Sequence, residues 1–570
     1  PGTGKTRVLV NRIERLLQDG VASPEDILAI TFTNKAAQEM RERLALLLGE
    51  AAEPVTVATF HALGLQILRE QLDLTGRTEG FSLIDEEEKE LIARQHLGWE
   101  GKTGREYLER ISRIKQHLDD ADAEGIPWFS AWQEILLSFN LFDLDDLLHL
   151  PLHLLTKHPE MAEHYRGRFP WLLVDEYQDV NPVQYAFLRK LAPSGDANLF
   201  AIGDPNQAIY GFRGADIRYI RQFASDYPQA ALYRLNQSYR CPETIIRASG
   251  HVLNAPDSGE QTALLTGVPS QVKIQIARHG SDKAEAEFVA RTIEELLGGV
   301  SFFSIDSAVS SGDGDGEIGG LSGIAVLCRM GRQMEVLEKA LLDHHIPCRV
   351  VGEAPFFRRE PVKAVLQQCR AAHNDSPFLR QQVMERFAIG DEQLLRQWAL
   401  LPTSTELVNA VIARDVESDL AEHPAIRRLL ELCADYREPR AFLDYLALGA
   451  VADDYSVGSE AVSLMTLHAS KGLEFDAVFI PGCEQGLLPY ALFESRQSDV
   501  DEEQRLLYVG MTRAKKRLFL SHADSRFLLG REYRLPRSPF LDRIEQELLE
   551  HTRQQARKKQ EPEAEQLSLL

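Results

Sequence analysis

The chain has 570 residues, a formal net charge of −23 at pH 7, 44% hydrophobic residues and 26% charged residues. This length supports one to four domains with sizeable cores. The acidic balance argues against a protein that coats nucleic acid through a global positive field, although a local groove could still hold a few phosphates. No apolar run approaches the roughly 18 residues of a membrane span, so we expect no membrane partner. The six cysteines are scattered without a CxxC pair, which argues against a zinc site and favours a reducing cytoplasm.

Hydrophobic patterning predicts α/β blocks that alternate with helical blocks. Short apolar runs predict strands at 28–32, 171–174, 199–202, 462–482 and 517–522. The runs that end before an acid or a glycine are typical of a parallel sheet. Helical patterns cover 34–48, 65–165 and 358–455. A Gly/Ser/Asp-rich stretch at 301–320 predicts a loop.

The first chemical motif is Gly2-Thr3-Gly4-Lys5-Thr6, which matches the second half of a GxxxxGK[ST] phosphate loop. Glycines let backbone N–H groups wrap phosphate oxygens, and the following helix N-terminus favours their negative charge. Lys5 then reaches the β- and γ-phosphates, and Thr6 binds Mg²⁺. Taken alone, the motif also fits a Gly-rich turn before a surface helix. Since the motif's first glycine would precede Pro1, we expect a chain truncated inside the motif.

A pair of acids follows the apolar run 171–174. Asp175 suits a Mg²⁺ shell, and Glu176 suits the position that orients and deprotonates an attacking water. Two acids in a strand-to-helix turn would also give this pattern. The order of the two motifs, about 170 residues apart, favours a nucleotide-hydrolysing site.

Seven ordered blocks make the chain resemble the UvrD/Rep/PcrA-type superfamily-one DNA helicases over nearly its whole length. The matching blocks are ITFTNKAAQEM (30–40), ATFHALG (58–64), LLVDEYQD (172–179), AIGDPNQAIYGFRGAD (201–216), LNQSYRCPETI (235–245), VSLMTLHASKGLEFDAVFI (462–480) and DEEQRLLYVGMTRAKKRL (501–518).

The resemblance implies an α/β fold with two RecA-like, parallel-sheet P-loop motor domains, each carrying a helical insertion. The expected first motor domain is 1–64 with 166–232, and its insertion is 65–165. The second is 233–357 with 456–545, its insertion is a reduced 358–455, and 546–570 is expected to be a flexible tail.

The resemblance also implies the roles of the ATP-site residues, with ATP and Mg²⁺ as the cofactors. Gln207 contacts the γ-phosphate, and Arg240 and Arg513 act as arginine fingers. Tyr239 stacks on the adenine, and Glu474 approaches the nucleotide. The remaining expected nucleotide contacts are Gly2, Thr3, Gly4, Lys5, Thr6, Asp175 and Glu176. The alternative for Gln207 is a turn side chain that hydrogen-bonds its own backbone. The alternative for both arginines is a structural salt bridge.

Single-stranded DNA requires aromatic faces for bases and donors for phosphates. By resemblance, the DNA contacts are Phe32, Asn34, Thr59, Phe60, His61, Tyr210, Phe212, Arg213 and His468. Ordinary core packing is the alternative for each aromatic residue, above all for Phe32 and Phe60. Phe212 stands where the family commonly has tryptophan.

The resemblance therefore implies an ATP-dependent 3′-to-5′ single-stranded DNA translocase and helicase of bacterial or archaeal origin, nucleoid-associated and acting on single/double-strand junctions in repair or replication. A helicase–nuclease motor subunit and a non-catalytic DNA- or clamp-binding scaffold are the alternatives. We expect the reduced insertion to affect processive unwinding more than translocation or ATP hydrolysis. The residues Gln566–Leu570 resemble a peptide that docks on the bacterial sliding clamp; a frayed terminus is the alternative.

Overall fold

The computed structural model describes residues 1–117, 126–195, 197–253, 264–268, 272–298, 318–352, 355–414, 420–449, 460–492 and 499–553. The chain divides into two compact units. The N-terminal unit comprises Gly4–Leu235 and Glu353–Tyr455, and the C-terminal unit comprises Pro1–Thr3, Asn236–Gly352 and Ser456–Leu570. The candidate clamp peptide and residues 301–317 of the predicted loop lie outside the described residues.

The elements are numbered in chain order over the described residues. The helices are α1 (Lys5–Gln18), α2 (Asn34–Leu48), α3 (Phe60–Glu70), α4 (Glu86–Leu97), α5 (Gly101–His117), α6 (Pro127–Ser138), α7 (Asp146–Lys157), α8 (Pro159–Arg168), α9 (Pro182–Leu191), α10 (Arg218–Arg221), α11 (Phe223–Asp226), α12 (Glu243–Leu253), α13 (Asp282–Leu296), α14 (Met334–Asp343), α15 (Val362–Ala372), α16 (Pro377–Arg386), α17 (Glu392–Ala399), α18 (Ser404–Arg414), α19 (Pro424–Asp435), α20 (Pro439–Leu448) and α21 (Val500–Met511). The strands are β1 (Ile27–Thr31), β2 (Thr56–Thr59), β3 (Ser82–Ile84), β4 (Leu141–Asp143), β5 (Trp171–Val174), β6 (Asn198–Ala201), β7 (Gln237–Ser238), β8 (Leu265–Thr266), β9 (Ile274–His279), β10 (Ile324–Cys328), β11 (Cys348–Val351), β12 (Val462–Thr466), β13 (Phe475–Ile480), β14 (Ala514–Ala523), β15 (Arg526–Leu528), β16 (Arg531–Tyr533) and β17 (Leu549–Arg553).

A four-stranded sheet in the order β2-β1-β5-β6 forms the core of the N-terminal unit, and its pairs are parallel. All five residues of β1 are buried, as expected for a parallel strand covered on both faces. The strands predicted at 28–32, 171–174 and 199–202 are confirmed to within one residue. Because parallel strands end at the same edge, β5 and β6 deliver the segments that follow them to one side of the sheet.

The stretch 65–165 is mostly helical, but the prediction of helix throughout was wrong at two places. The strands β3 and β4 pair in parallel within it. At the end of β4, Lys115 lies 2.6 Å from Asp143 and 2.7 Å from Asp146, and all three side chains are fully buried. This charged cluster fixes α5 against β4, a directional constraint that apolar packing alone does not supply.

The second helical stretch, α15 to α20, belongs to the N-terminal unit by its contacts. The guanidinium of Arg370 binds both carboxylate oxygens of Glu88, at 3.0 and 3.1 Å. Arg69 lies 2.6 Å from Asp444, and the Asp375 N–H donates to the Gly80 carbonyl at 2.6 Å. Phe378 and Leu379 complete an apolar core with residues of α4 to α6.

A seven-stranded sheet in the order β11-β12-β10-β13-β14-β9-β17 forms the core of the C-terminal unit. Its pairs are parallel throughout the described residues. The prediction of a flexible tail over 546–570 is wrong for Leu549–Arg553, which forms the edge strand β17 along β9.

The predicted α/β class, with parallel sheets typical of RecA-like motor domains, is confirmed. Within the described residues, we find no helix with the length and apolar character needed to cross a membrane.

Candidate active site

The phosphate-loop residues lead directly into α1. Gly4 caps this helix with φ of 81°, a left-handed conformation that glycine adopts without strain. The first turn of α1 holds no acidic residue. The N-terminal N–H groups of the helix, together with Lys5, therefore offer positive potential to an anion.

Asp175 brings the acidic motif to this loop. The Thr6 hydroxyl donates to the Asp175 carboxylate at 3.2 Å, and the backbone N–H of Asp175 bonds the Ile30 carbonyl at 2.9 Å. Burial, and secondarily the nearby charge of Glu176, raises the pKa of Asp175 to about 6. A buried carboxylate beside a hydroxyl is the oxygen donor set that suits Mg²⁺, and a cation there would relieve the desolvation of Asp175.

Glu176 follows with φ of 51°, which is uncommon for a residue with a side chain. Such strain is maintained where surrounding structure over-determines it, often at functional sites. Gln178, fully buried, donates to the Glu176 carboxylate at 2.5 Å and to Asp179 at 3.1 Å. The Glu176 carboxylate is thus held in a defined orientation.

The same glutamine links the acidic motif to the segment after β6. The Asp204 N–H donates to the Gln178 side-chain carbonyl at 2.8 Å, and the Gln207 amide donates to the Asp204 carboxylate at 2.6 Å. A hydrogen-bonded relay therefore runs from Glu176 through Gln178 and Asp204 to Gln207. A Cβ added at Gly203 would lie 2.7 Å from the side-chain oxygen of Gln178, so any larger residue there would have to displace that side chain.

The other predicted nucleotide residues lie in the C-terminal unit. Arg240 donates to Glu474 at 2.8 Å, and Tyr239 presents a ring that is 67% exposed. Arg513 is buried and donates to the carbonyls of Val509 at 2.9 Å and Leu473 at 3.1 Å. Glu474 follows Leu473 in the chain, so one segment contacts both arginines.

Gly2 and Thr3 cluster with the C-terminal unit rather than with Lys5. The Tyr239 N–H donates to the Gly2 carbonyl at 2.9 Å, and a Cβ at Gly2 would lie 2.5 Å from the Arg240 Cβ. Gly2 therefore allows a close backbone approach at the start of the loop.

A cluster of aromatic and basic side chains follows Gln207. Phe212 is 64% exposed, and its ring centroid lies 6.1 Å from that of Tyr210. The Arg213 guanidinium lies 5.5 Å from each of these two rings. Exposed rings beside a guanidinium can stack on bases and attract phosphates.

A second group of predicted DNA residues surrounds the ends of β1 and β2. Phe60 is only 2% exposed, and its ring meets Phe32 edge-on at 5.9 Å. The prediction that Phe60 contacts DNA directly is therefore corrected, because its ring is spent on core packing and supports the half-buried Phe32. Thr59 caps α3 by accepting the Ala62 N–H at 3.2 Å.

The rest of that group differs in accessibility. The Asn34 side-chain nitrogen is buried without a hydrogen-bond partner, so it retains a donor for a ligand. Burial lowers the pKa of His61, which keeps its ring neutral at pH 7. His468, in the C-terminal unit, lies half-buried just after β12.

Sequence reasoning missed several polar residues that organise the site. Gln178 and Asp204 stood inside recognised blocks, but only their side-chain contacts reveal the relay. The half-buried Arg329 and the buried Glu503 form an ion pair at the start of α21, the helix that leads to Arg513. An acid in a helix's first turn was the one available signal for Glu503.

Two known protein families match the chain. The family described as the UvrD/REP helicase N-terminal domain matches residues 1–228, and the UvrD-like helicase C-terminal domain matches residues 233–394 and 412–525. The chain belongs to the UvrD/REP helicase family. It is accordingly a helicase, and the resemblance stated from its sequence blocks is confirmed.

Several curated relatives are similar over almost the whole chain. The ATP-dependent DNA helicase PcrA of Bacillus subtilis (strain 168) is 32% identical, covering 96% of this chain and 83% of the relative. PcrA of Staphylococcus aureus (strain Mu50) is 30% identical, covering 99% and 86%. PcrA of Staphylococcus epidermidis is 31% identical, covering 97% and 84%.

Proposed function

We propose that this helicase hydrolyses ATP to translocate 3′-to-5′ along single-stranded DNA and unwind duplexes at single/double-strand junctions during repair or replication. The relay from Glu176 to Gln207 carries this proposal, because it connects a hydrolytic carboxylate to the segment that bears Phe212 and Arg213. The relatives are named ATP-dependent DNA helicases, which supports ATP as the nucleotide and DNA as the substrate. The polarity rests on the family resemblance alone.

In the proposed reaction, the loop holds the phosphates while Glu176 supplies the base. Lys5 and the α1 N-terminus neutralise the β- and γ-phosphate charge. Glu176 orients a water and accepts its proton as the water oxygen bonds the γ-phosphorus. The bond from the γ-phosphorus to the β,γ-bridging oxygen breaks, which releases ADP and phosphate. Thr6 and Asp175 are the residues that would hold Mg²⁺, which supplies charge neutralisation when bound.

Charge that spreads over the transferring phosphoryl group needs further donors. We assign Arg240 and Arg513 to that role, with Tyr239 as the adenine platform and Glu474 as a further nucleotide contact. These residues belong to the C-terminal unit, whereas Lys5 and Glu176 belong to the N-terminal unit. Hydrolysis would then require donors from both units, and this requirement would couple the chemistry to movement.

DNA contacts are proposed on both units. Phe212 and Phe32 stack on bases, and Tyr210 and Arg213 contact the strand beside them. Asn34, Thr59, His61 and His468 contribute polar contacts to the same strand. Stacking is tolerant of sequence because every base has a π-face, so binding would be sequence-independent.

The decisive experiment measures ATP hydrolysis with and without single-stranded DNA for the wild type, Lys5→Ala and Glu176→Gln. We expect DNA to stimulate the wild type and both variants to lose activity, with Glu176→Gln still binding ATP. An ATP hydrolysis rate that is unchanged by single-stranded DNA, or unchanged in Lys5→Ala, would overturn the proposal. Strand displacement on duplexes with a 3′ or a 5′ single-stranded tail then decides the polarity.

We further propose that Gln566–Leu570 docks on the bacterial sliding clamp, and that the protein is cytoplasmic and nucleoid-associated. Spaced leucines at the end of a charged segment suit an apolar groove. Deletion of these five residues should abolish binding to immobilised clamp without changing ATP hydrolysis. Equal clamp binding by the full and shortened chains would refute the docking.

A further inference from the structure

Glu503 sits in the first turn of α21 and is 2% exposed. Arg329, the residue after β10, places Nε at 3.2 and 3.0 Å from its two oxygens and Nη2 at 2.8 Å from Oε1. The Tyr490 N–H donates to the second oxygen at 3.1 Å, and the Arg329 guanidinium lies 4.8 Å from the Tyr490 ring. Glu503 therefore joins α21 to the end of a central strand and to the loop after β13.

The same helix ends two residues before Arg513. Met511 lies eight positions after Glu503 in the helix, which places the two residues about 12 Å apart along its axis. Beyond the helix, the Thr512 N–H bonds the Tyr508 carbonyl at 3.0 Å and the Arg513 N–H bonds the Gly510 carbonyl at 3.1 Å. Backbone bonds thus transmit the axial position of α21 directly to Arg513.

Apolar packing alone leaves that axial position weakly defined. Most of α21 from Leu506 to Met511 is buried among apolar side chains. Hydrophobic contact is non-directional, whereas a bidentate carboxylate–guanidinium pair fixes both distance and orientation. Glu503 and Arg329 provide such a contact at the helix end remote from Arg513.

We propose that Glu503 and Arg329 are positioning residues for ATP hydrolysis, which set the register of α21 and so the place of the Arg513 guanidinium. The inference rests on the proposed role of Arg513. A displacement of about 1 Å can cost on the order of 100-fold in rate. Because neither Glu503 nor Arg329 is among the proposed nucleotide contacts, loss of their ion pair should lower kcat while KM for ATP changes little.

The test compares Arg329→Met and Glu503→Gln with the wild type in steady-state, DNA-stimulated ATP hydrolysis. We expect kcat to fall roughly 10-fold to 100-fold and KM to stay within about 3-fold. Arg329→Lys keeps the positive charge but cannot contact both carboxylate oxygens as a guanidinium does, so it should recover part of kcat. Arg278→Met is the matched control, since Arg278 makes a two-bond pair with Asp524 on the surface of the same unit, at 2.9 and 3.2 Å.

A double-mutant cycle separates positioning from general loss of structure. In an Arg513→Ala background there is no guanidinium to position, so Arg329→Met should have no further effect on kcat. Equal fold-losses in both backgrounds, or a wild-type kcat for folded Arg329→Met and Glu503→Gln, would overturn the inference. If Arg513→Ala alone hydrolyses ATP like the wild type, the proposed role of Arg513 fails instead.

A thermal-unfolding series guards against misfolded variants. Arg329→Met/Glu503→Leu removes both charges and leaves no buried carboxylate unpaired, so it should unfold nearer to the wild type than either single variant. Its kcat should still be low. A double variant with both stability and kcat restored would assign the pair to folding alone and refute positioning.

Discussion

The side-chain amide of Gln178 donates a 2.5 Å hydrogen bond to the carboxylate of Glu176. Its carbonyl oxygen accepts the Asp204 N–H, so one buried side chain contacts the segments after both β5 and β6. Parallel strands deliver these segments to the same sheet edge, where a glutamine, as donor and acceptor, can join them.

Gln178→Ala should break that relay. We expect kcat for DNA-stimulated hydrolysis to fall by roughly 10-fold to 100-fold, because Glu176 loses its orienting donor and Asp204 its link. Gln184→Ala is the matched control: Gln184 is a buried glutamine in the same unit whose side chain accepts the Asn181 N–H at 3.1 Å. Equal activity losses in the two variants, measured at matched folded fraction, would count against the relay.

The pKa of Asp175 predicts an unusual pH dependence of stability. Its folded-state pKa of about 6 lies above the usual value, so the folded state retains a proton that the unfolded chain releases between about pH 4 and 6. The wild type without ligands should therefore lose stability relative to Asp175→Asn as pH rises through this window, by up to about 3 kcal/mol.

Denaturant unfolding of both proteins at pH 4.5 and pH 8 measures most, but not all, of this difference, because an unfolded aspartate is already largely ionised at pH 4.5. Asp175→Asn should be the more stable protein at pH 8 and should hydrolyse no ATP, because the proposed Mg²⁺ ligand is gone. A stability difference that is the same at both pH values would show that Asp175 does not titrate in this window.

The sequence predicted much of this arrangement because its motifs combine residue type with position along a strand. The acids after β5 and the Gly-Lys-Thr at α1 could be assigned before any contact was known. Contacts between distant segments could not, since Gln178, Arg329 and Glu503 look like ordinary polar residues until their partners are identified. Only the burial of Phe60 showed that its ring packs in the core. The strand β17 was not predicted because its five residues, LEHTR, contain a single strongly apolar side chain.

Gly64 lies where two helices pack too closely for any larger residue, a constraint that no sequence motif indicates. A Cβ at this position would lie 1.7 Å from the carbonyl oxygen of Leu147, because α3 and α7 meet backbone to backbone. Gly64→Ala should therefore force the helices apart and destabilise the N-terminal unit by about 3 kcal/mol, despite the better helix propensity of alanine. Gly167→Ala, where a Cβ meets nothing within 4 Å, should not destabilise the protein. Thermal unfolding of the two variants decides the matter, and equal midpoints would contradict the packing.

Phe212 offers the sharpest test of DNA stacking, because its ring is exposed beside Arg213. Phe212→Ala should weaken binding of single-stranded DNA by roughly 10-fold, in line with about 1 to 3 kcal/mol per stacked base, whereas Phe212→Trp should bind at least as tightly as the wild type. Phe527→Ala is the control, since Phe527 is 63% exposed on the C-terminal unit and has no proposed DNA contact. Fluorescence anisotropy with a labelled oligonucleotide measures all four proteins at one salt concentration. Identical affinities for Phe212→Ala and Phe527→Ala would remove Phe212 from the DNA path, and the remaining binding would then have to come from the residues around Phe32.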